Sequence, residues 1–165
     1  MTTIFTDLDG VVCIATNPDG TGERVIPQLC RNLSRLVVQA NARLVISSDW
    51  RLRKKPWEIA MALPDIQSEL MHPDPLDGSI ESRWKAIQRW LERHPEVNKH
   101  VILDDSARMF DGAPESIMQH LILCNGREGL VGERVGTALR LLRDGRPAYD
   151  RSQFIGGDAD DDADL

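Results

Sequence analysis

Two aspartates, Asp7 and Asp9, close a run of β-branched and aromatic residues in the segment TIFTDLDGVV (residues 3–12), and Gly10 supplies the turn that leaves it. Carboxylates fixed side by side at a strand end are costly unless they hold a cation or take part in a reaction. The plain alternative is an Asx-type turn with both acids solvated. The same kind of ending recurs downstream. Residues 43–47 (RLVIS) lead into Ser47, Ser48, Asp49, Trp50 and Arg51, and residues 100–103 (HVIL) lead into Asp104 and Asp105. Between them, Lys85 sits near a helix start. Together these groups are what phosphoryl transfer to a carboxylate requires: an anionic nucleophile, an acid for the leaving oxygen, a hard cation, and a hydroxyl and an ammonium for the phosphoryl oxygens.

Strands must bring these ends to one edge. The apolar runs at 3–6, 43–47, 100–103 and 120–124 read as buried strands. Helical spacing predicts a helix from Pro27 with Leu29, Leu33, Leu36, Val37 and Ala40 inward, and another from Pro56 carrying Trp57, Ile59, Ala60, Met61 and Leu63. A third is expected from Ser79 as N-cap to about Arg93, with Ile80, Trp84, Ile87 and Leu91 inside and Lys85 at the border of that stripe. Residues 111–118 are weakly helical, and 135–143 form a short amphipathic helix. Residues 13–25 are turn chemistry, and 64–78 are irregular with a short extended piece at 66–71. Alternating strands and helices imply an α/β fold, a parallel sheet covered on both faces. In such sheets ligands sit outside the carboxyl ends of the strands.

The 165 residues suit one domain over 1–149, followed by an acidic tail at 150–165 whose Gly- and Asp-rich composition predicts disorder. Five aspartates of that tail account for most of the net charge of −6, leaving a nearly neutral body unsuited to broad nonspecific binding of nucleic acid. No apolar run approaches a membrane span of ~20 residues, and no secretory signal precedes the first strand. Cys13, Cys30 and Cys124 are widely spaced and read as buried reduced thiols of a cytoplasmic protein. His72, His94, His100 and His120 show no metal-ligand spacing and read as ordinary polar residues. Of the four tryptophans, Trp50 adjoins the strand-end residues, where it could stack on a base.

In order and spacing, DLDGV, the strand-ending serine, Lys85 and LDD resemble the four motifs of the haloacid dehalogenase (HAD) superfamily. ISSDWR, RWKAI and VILDD are similar to segments of the HAD phosphatase domains in phage polynucleotide kinase-phosphatase and in RNA-repair proteins. No P-loop for a partner kinase is present, and Asp49 and Trp50 separate Ser48 from Arg51 where the phage motif runs serine-glycine-arginine. The resemblance implies a Rossmann-like HAD fold with Asp7 as nucleophile and Asp9 as acid/base. It implies Mg²⁺ held by Asp7, the backbone carbonyl of Asp9 and Asp105, with Asp104 orienting Lys85 or Ser48. Ser47 and Ser48 compete for the phosphate, the strand pattern favouring Ser48. Arg51 either grips a substrate phosphate or joins Arg53, Lys54 and Lys55 in a solvated helix start. The gaps between motifs leave no room for a large cap domain, which implies an open site. The expected activity is therefore phosphomonoester hydrolysis, best suited to a nucleic-acid end. A small-molecule or nucleotide phosphatase and a non-catalytic binding module are the alternatives.

Overall fold

The computed structural model describes residues 1–19, 22–78 and 81–145. Ser79, Ile80 and the acidic tail lie outside the described residues. In chain order, β1 (Thr2–Thr6) leads into a hairpin of β2 (Cys13–Ala15) and β3 (Glu23–Val25), then α1 (Pro27–Gln39) and β4 (Ala42–Ile46). After α2 (Pro56–Ala62) and α3 (Arg83–Arg93) come β5 (Lys99–Asp104), α4 (Glu115–Met118), β6 (Leu121–Leu123) and α5 (Gly132–Asp144). The main sheet has the order β4-β1-β5-β6, and each neighbouring pair is parallel.

Successive strand residues point to opposite faces, and each face has its own core. Ile4, Leu44 and Val101 join Leu33, Leu36, Val37 and Ala138 in the layer of α1 and α5. Phe5, Val45 and Ile102 join Ala86, Ile87 and Trp90 of α3 on the other side, where Phe5 meets Trp90 edge-on at 5.3 Å. Burial of such side chains contributes about 1.5–3 kcal/mol each, so both layers anchor the sheet. The fold is thus α/β and Rossmann-like, with helices on both faces and no cap domain among the described residues.

Three local expectations change. First, α3 begins at Arg83 and buries Arg83, Ala86, Ile87 and Trp90, whereas Trp84 and Leu91 are only partly buried. The buried stripe is therefore rotated from the expected one, because i, i+3, i+4, i+7 starting at 83 packs the larger Trp90 against Phe5. Second, α2 buries Ile59 but leaves Trp57 and Met61 exposed. Third, the piece at 66–71 is a 3₁₀ turn over Ser68–Leu70, after which Met71 bridges Leu44 in parallel beside β4. The turn-rich segment 13–25 holds the β2–β3 hairpin.

Candidate active site

The parallel register sets the site. Thr6 pairs with Ile46 on one side and Leu103 on the other, so all three strands finish level. Asp7 N–H then donates to Leu103 O at 2.8 Å, and Ser47 N–H donates to Thr6 O at 2.8 Å. Asp7 is buried, with Oδ1 accepting from Leu8 N–H at 2.8 Å. Asp104, fully buried, accepts from Ser106 N–H at 2.9 Å through Oδ1. Asp105 is exposed, and its Oδ2 lies where a Cβ on Gly10 would stand, 2.1 Å away. Gly10 has φ +75°, so both its backbone and its lack of a side chain are required here. Carboxylate oxygens of Asp7, Asp104 and Asp105 all lie within 4.8 Å of one another.

The cation among them is Arg83, not Lys85. Arg83 Nη1 donates to Asp7 Oδ2 at 2.6 Å and to Asp104 Oδ2 at 2.5 Å, and Nη2 reaches Asp49 Oδ1 at 3.4 Å. Lys85 is exposed, its ammonium 5.5 Å from the centre of the Trp84 ring. Two residues along a helix turn a side chain through about 200°, so both cannot face the strand ends. A signal for Arg83 did exist: it falls on the stripe Arg83, Ala86, Ile87, Trp90, whose first member lies in the turn nearest the acids.

The charges do not balance. Burial and the Asp7 charge push Asp104 up to about 6, although Arg83 and Ser106 N–H pull it back. Burial and Asp7 also push Asp105 above the usual carboxylate range. Burial opposes the charge on Arg83, but Asp7 and Asp104 outweigh it and hold Arg83 above its ordinary value. Three acids facing one guanidinium leave excess negative charge that a divalent ion would relieve. An all-oxygen donor set of this kind fits Mg²⁺.

Asp9 stands apart from that trio. It is half-buried, and Trp50 Nε1–H donates to its two oxygens at 3.3 and 3.2 Å. Glu23, presented by the hairpin strand β3, shares a side-chain hydrogen bond with it. Burial, then Glu23, then the Asp7 charge push Asp9 up to about 7, and Trp50 pulls it down. Such a group can give and take a proton near neutrality. Trp50 thus contacts the acid through its N–H, and it packs partly buried against the core. Sequence reasoning missed Glu23, because only the hairpin's fold-back brings it to Asp9.

Ser47 Oγ is fully buried and has no hydrogen-bond partner among the described residues. Ser48, also fully buried, caps the following 3₁₀ turn by accepting from Trp50 N–H at 3.4 Å. Arg51 does not belong to a solvated helix start. Its Nη1 donates to Ser47 O at 2.8 Å and Ser48 O at 3.1 Å, its Nε donates to Asp77 O at 3.1 Å, and its side chain is 7% exposed. It clamps the backbone that carries the serines, while Arg53, Lys54 and Lys55 are exposed.

The family described as the HAD domain in Swiss Army Knife RNA repair proteins matches residues 3–135. No curated protein and no solved structure matched the chain.

Proposed function

Since the chain belongs to the family of HAD domains found in Swiss Army Knife RNA repair proteins, we propose that it is a Mg²⁺-dependent phosphomonoester hydrolase that removes a terminal phosphate from a nucleic acid through an aspartyl phosphate. The observation that carries this reading is the convergence of Asp7, Asp104 and Asp105 within 4.8 Å around the Arg83 guanidinium. Asp7 attacks phosphorus in line, and the bond from phosphorus to the leaving oxygen breaks as Asp9 protonates that oxygen. Water then attacks the phosphorus of the aspartyl phosphate and gives its proton to Asp9. Inorganic phosphate leaves and the Asp7 carboxylate is restored. Arg83 fixes Asp7 and Asp104 throughout. Ser47, whose buried hydroxyl lacks a partner among the described residues, and Ser48, whose oxygen accepts from Trp50 N–H and whose O–H stays available, are the two donors to a phosphoryl oxygen.

Asp7, Asp105 and the Asp9 carbonyl would hold Mg²⁺, which supplies the charge neutralisation that lets a phosphate dianion approach several carboxylates. An edge with no cap among the described residues favours a polymer end over a small substrate, and exposed Arg53, Lys54 and Lys55 add positive charge on the serine side of the site. The free, buried thiols of Cys13, Cys30 and Cys124 support a cytoplasmic setting.

The test compares kcat/KM for a 3′-phosphorylated oligoribonucleotide, its 5′-phosphorylated counterpart and a nucleoside monophosphate, each with Mg²⁺ and with chelator. The 3′-phosphorylated oligomer should be preferred by about tenfold or more, a difference of about 1.4 kcal/mol, and chelator should stop turnover. A preference for the mononucleotide would move the assignment to a small-molecule phosphatase. The variant Asp7→Asn should fold and lose turnover; activity retained there would remove Asp7 as nucleophile.

A further inference from the structure

We propose that His72, His94 and Glu96, with Asp74 beside them, form a second metal site, one for a borderline transition ion such as Zn²⁺, at the opposite end of α3 from the catalytic acids. One nitrogen from each histidine and a carboxylate oxygen of Glu96 lie within 4.8 Å of one another. Arg83 opens α3 at the catalytic edge and His94 caps its far end, so eleven residues of helix, about 16 Å, separate the two places.

The His94 imidazole is already oriented. His94 Nδ1 lies 2.8 Å from Trp90 O, a contact in which Nδ1–H donates to the carbonyl and the Nε2 lone pair is left facing outward. The His94 ring stacks on Trp90 at 3.7 Å between centroids and meets the His72 ring edge-on at 5.1 Å. Asp74 Oδ2 stands 3.2 Å from His94 Nε2, with Arg93 Nη2 3.8 Å from the same oxygen. Asp74 N–H donates to His72 Nδ1 at 3.1 Å, and the Asp74 carbonyl lies at the same distance from that nitrogen. Binding an ion through Nε2 would move the ring proton to Nδ1, which would then donate to the carbonyl in place of accepting from the N–H. A histidine nitrogen bonded to a backbone carbonyl, which fixes the tautomer and presents the other nitrogen, is the usual support for a metal-bound imidazole.

The donor types separate this place from the strand-end acids. Two imidazoles with carboxylate oxygens select Zn²⁺ and its neighbours, whereas all-oxygen sets suit Mg²⁺. Bonds of about 2.0–2.2 Å keep two donors on one zinc within about 4.4 Å of each other. Glu96 is exposed, and its carboxylate has room to close on the ion. His72 follows directly on Met71, the residue that bridges β4, and its N–H donates to Leu44 O at 2.8 Å. The ion would thus tie the irregular segment beside β4 to the end of α3, a structural role independent of turnover.

The full chain, stripped with chelator, is titrated with Zn²⁺ in a large excess of Mg²⁺ and followed by calorimetry and by the side-chain nitrogen resonances of histidine. We expect one equivalent of Zn²⁺ to bind, with the His72 and His94 signals shifting and those of His100 and His120 unchanged. His94→Gln and His72→Asn should each lose that equivalent and keep Mg²⁺-dependent activity. If Zn²⁺ at saturation leaves the His72 and His94 resonances of the unmodified chain in place, the site does not exist. That result stands even if either variant fails to fold, and it leaves the phosphatase reading untouched.

Discussion

Replacing Arg83 with methionine keeps much of its apolar stem and removes the guanidinium that lies between two buried carboxylates. The Arg83, Asp7 and Asp104 side chains are 4%, 6% and 0% exposed, and the contacts are 2.6 and 2.5 Å. Removing one partner of a buried pair strands the other charge, at a cost of about 3–5 kcal/mol. That is a large part of the roughly 5–15 kcal/mol by which a domain of this kind is stable. The loss should depend on pH in a definite sense. The Asp104 carboxyl is raised to about 6 against an ordinary 3.8, so its charge counts against the fold as pH climbs through that window. Without Arg83, which pulls it down, the carboxyl rises further and the deficit widens between about pH 5 and pH 8. Urea denaturation of the wild type, Arg83→Met and Lys85→Met at both pH values measures this directly. Lys85→Met should stay within about 0.5 kcal/mol of wild type, as expected of an exposed side chain. Arg83 is not the cation of the site if Arg83→Met loses under about 1 kcal/mol at the higher pH, or if Lys85→Met abolishes turnover while Arg83→Met keeps it.

Glu23→Gln removes a neighbouring negative charge that holds the Asp9 proton on, so the alkaline limb that Asp9 sets in the kcat profile should move to lower pH; an unmoved limb would separate Glu23 from the acid. His100 is held down to about 3 by burial and by its neighbour His120, well below its ordinary 6.5, so it stays neutral in the fold and takes up a proton when unfolded. The stability it contributes is present above pH 6.5 and lost as pH falls toward 3, about 2 kcal/mol of it between pH 7 and pH 5. His100→Leu should flatten that slope in denaturation measurements. Gly10→Ala forces a φ of +75° on alanine and sets its Cβ 2.1 Å from Asp105 Oδ2. It should cost about 1–3 kcal/mol in backbone strain and weaken Mg²⁺ binding in calorimetry; unchanged Mg²⁺ affinity would place Asp105 outside the metal set.

Much of the fold was legible because each strand is a short apolar run with polar residues just past its end. A parallel sheet puts those ends on one edge, so Asp7 and Asp9, the Ser47–Ser48 pair and the Asp104–Asp105 pair follow from the strand assignments, and the family resemblance supplied their proposed roles. The rest depends on how neighbouring elements are rotated and which segments fold back. Periodicity in α3 allows stripes only one residue apart, and packing of Trp90 against Phe5 chose the one that buries Arg83 and leaves Lys85 in solvent. Glu23 reaches Asp9 because the hairpin turns back over the edge, and Arg51 is consumed by carbonyls that no local spacing announces. His72 and His94 lie on different segments and meet because α3 packs beside the segment following β4. Local sequence fixes which residues share a face within one element. Which face meets which neighbour is decided by the whole core at once, since only the packed arrangement determines where a buried charge finds its partner.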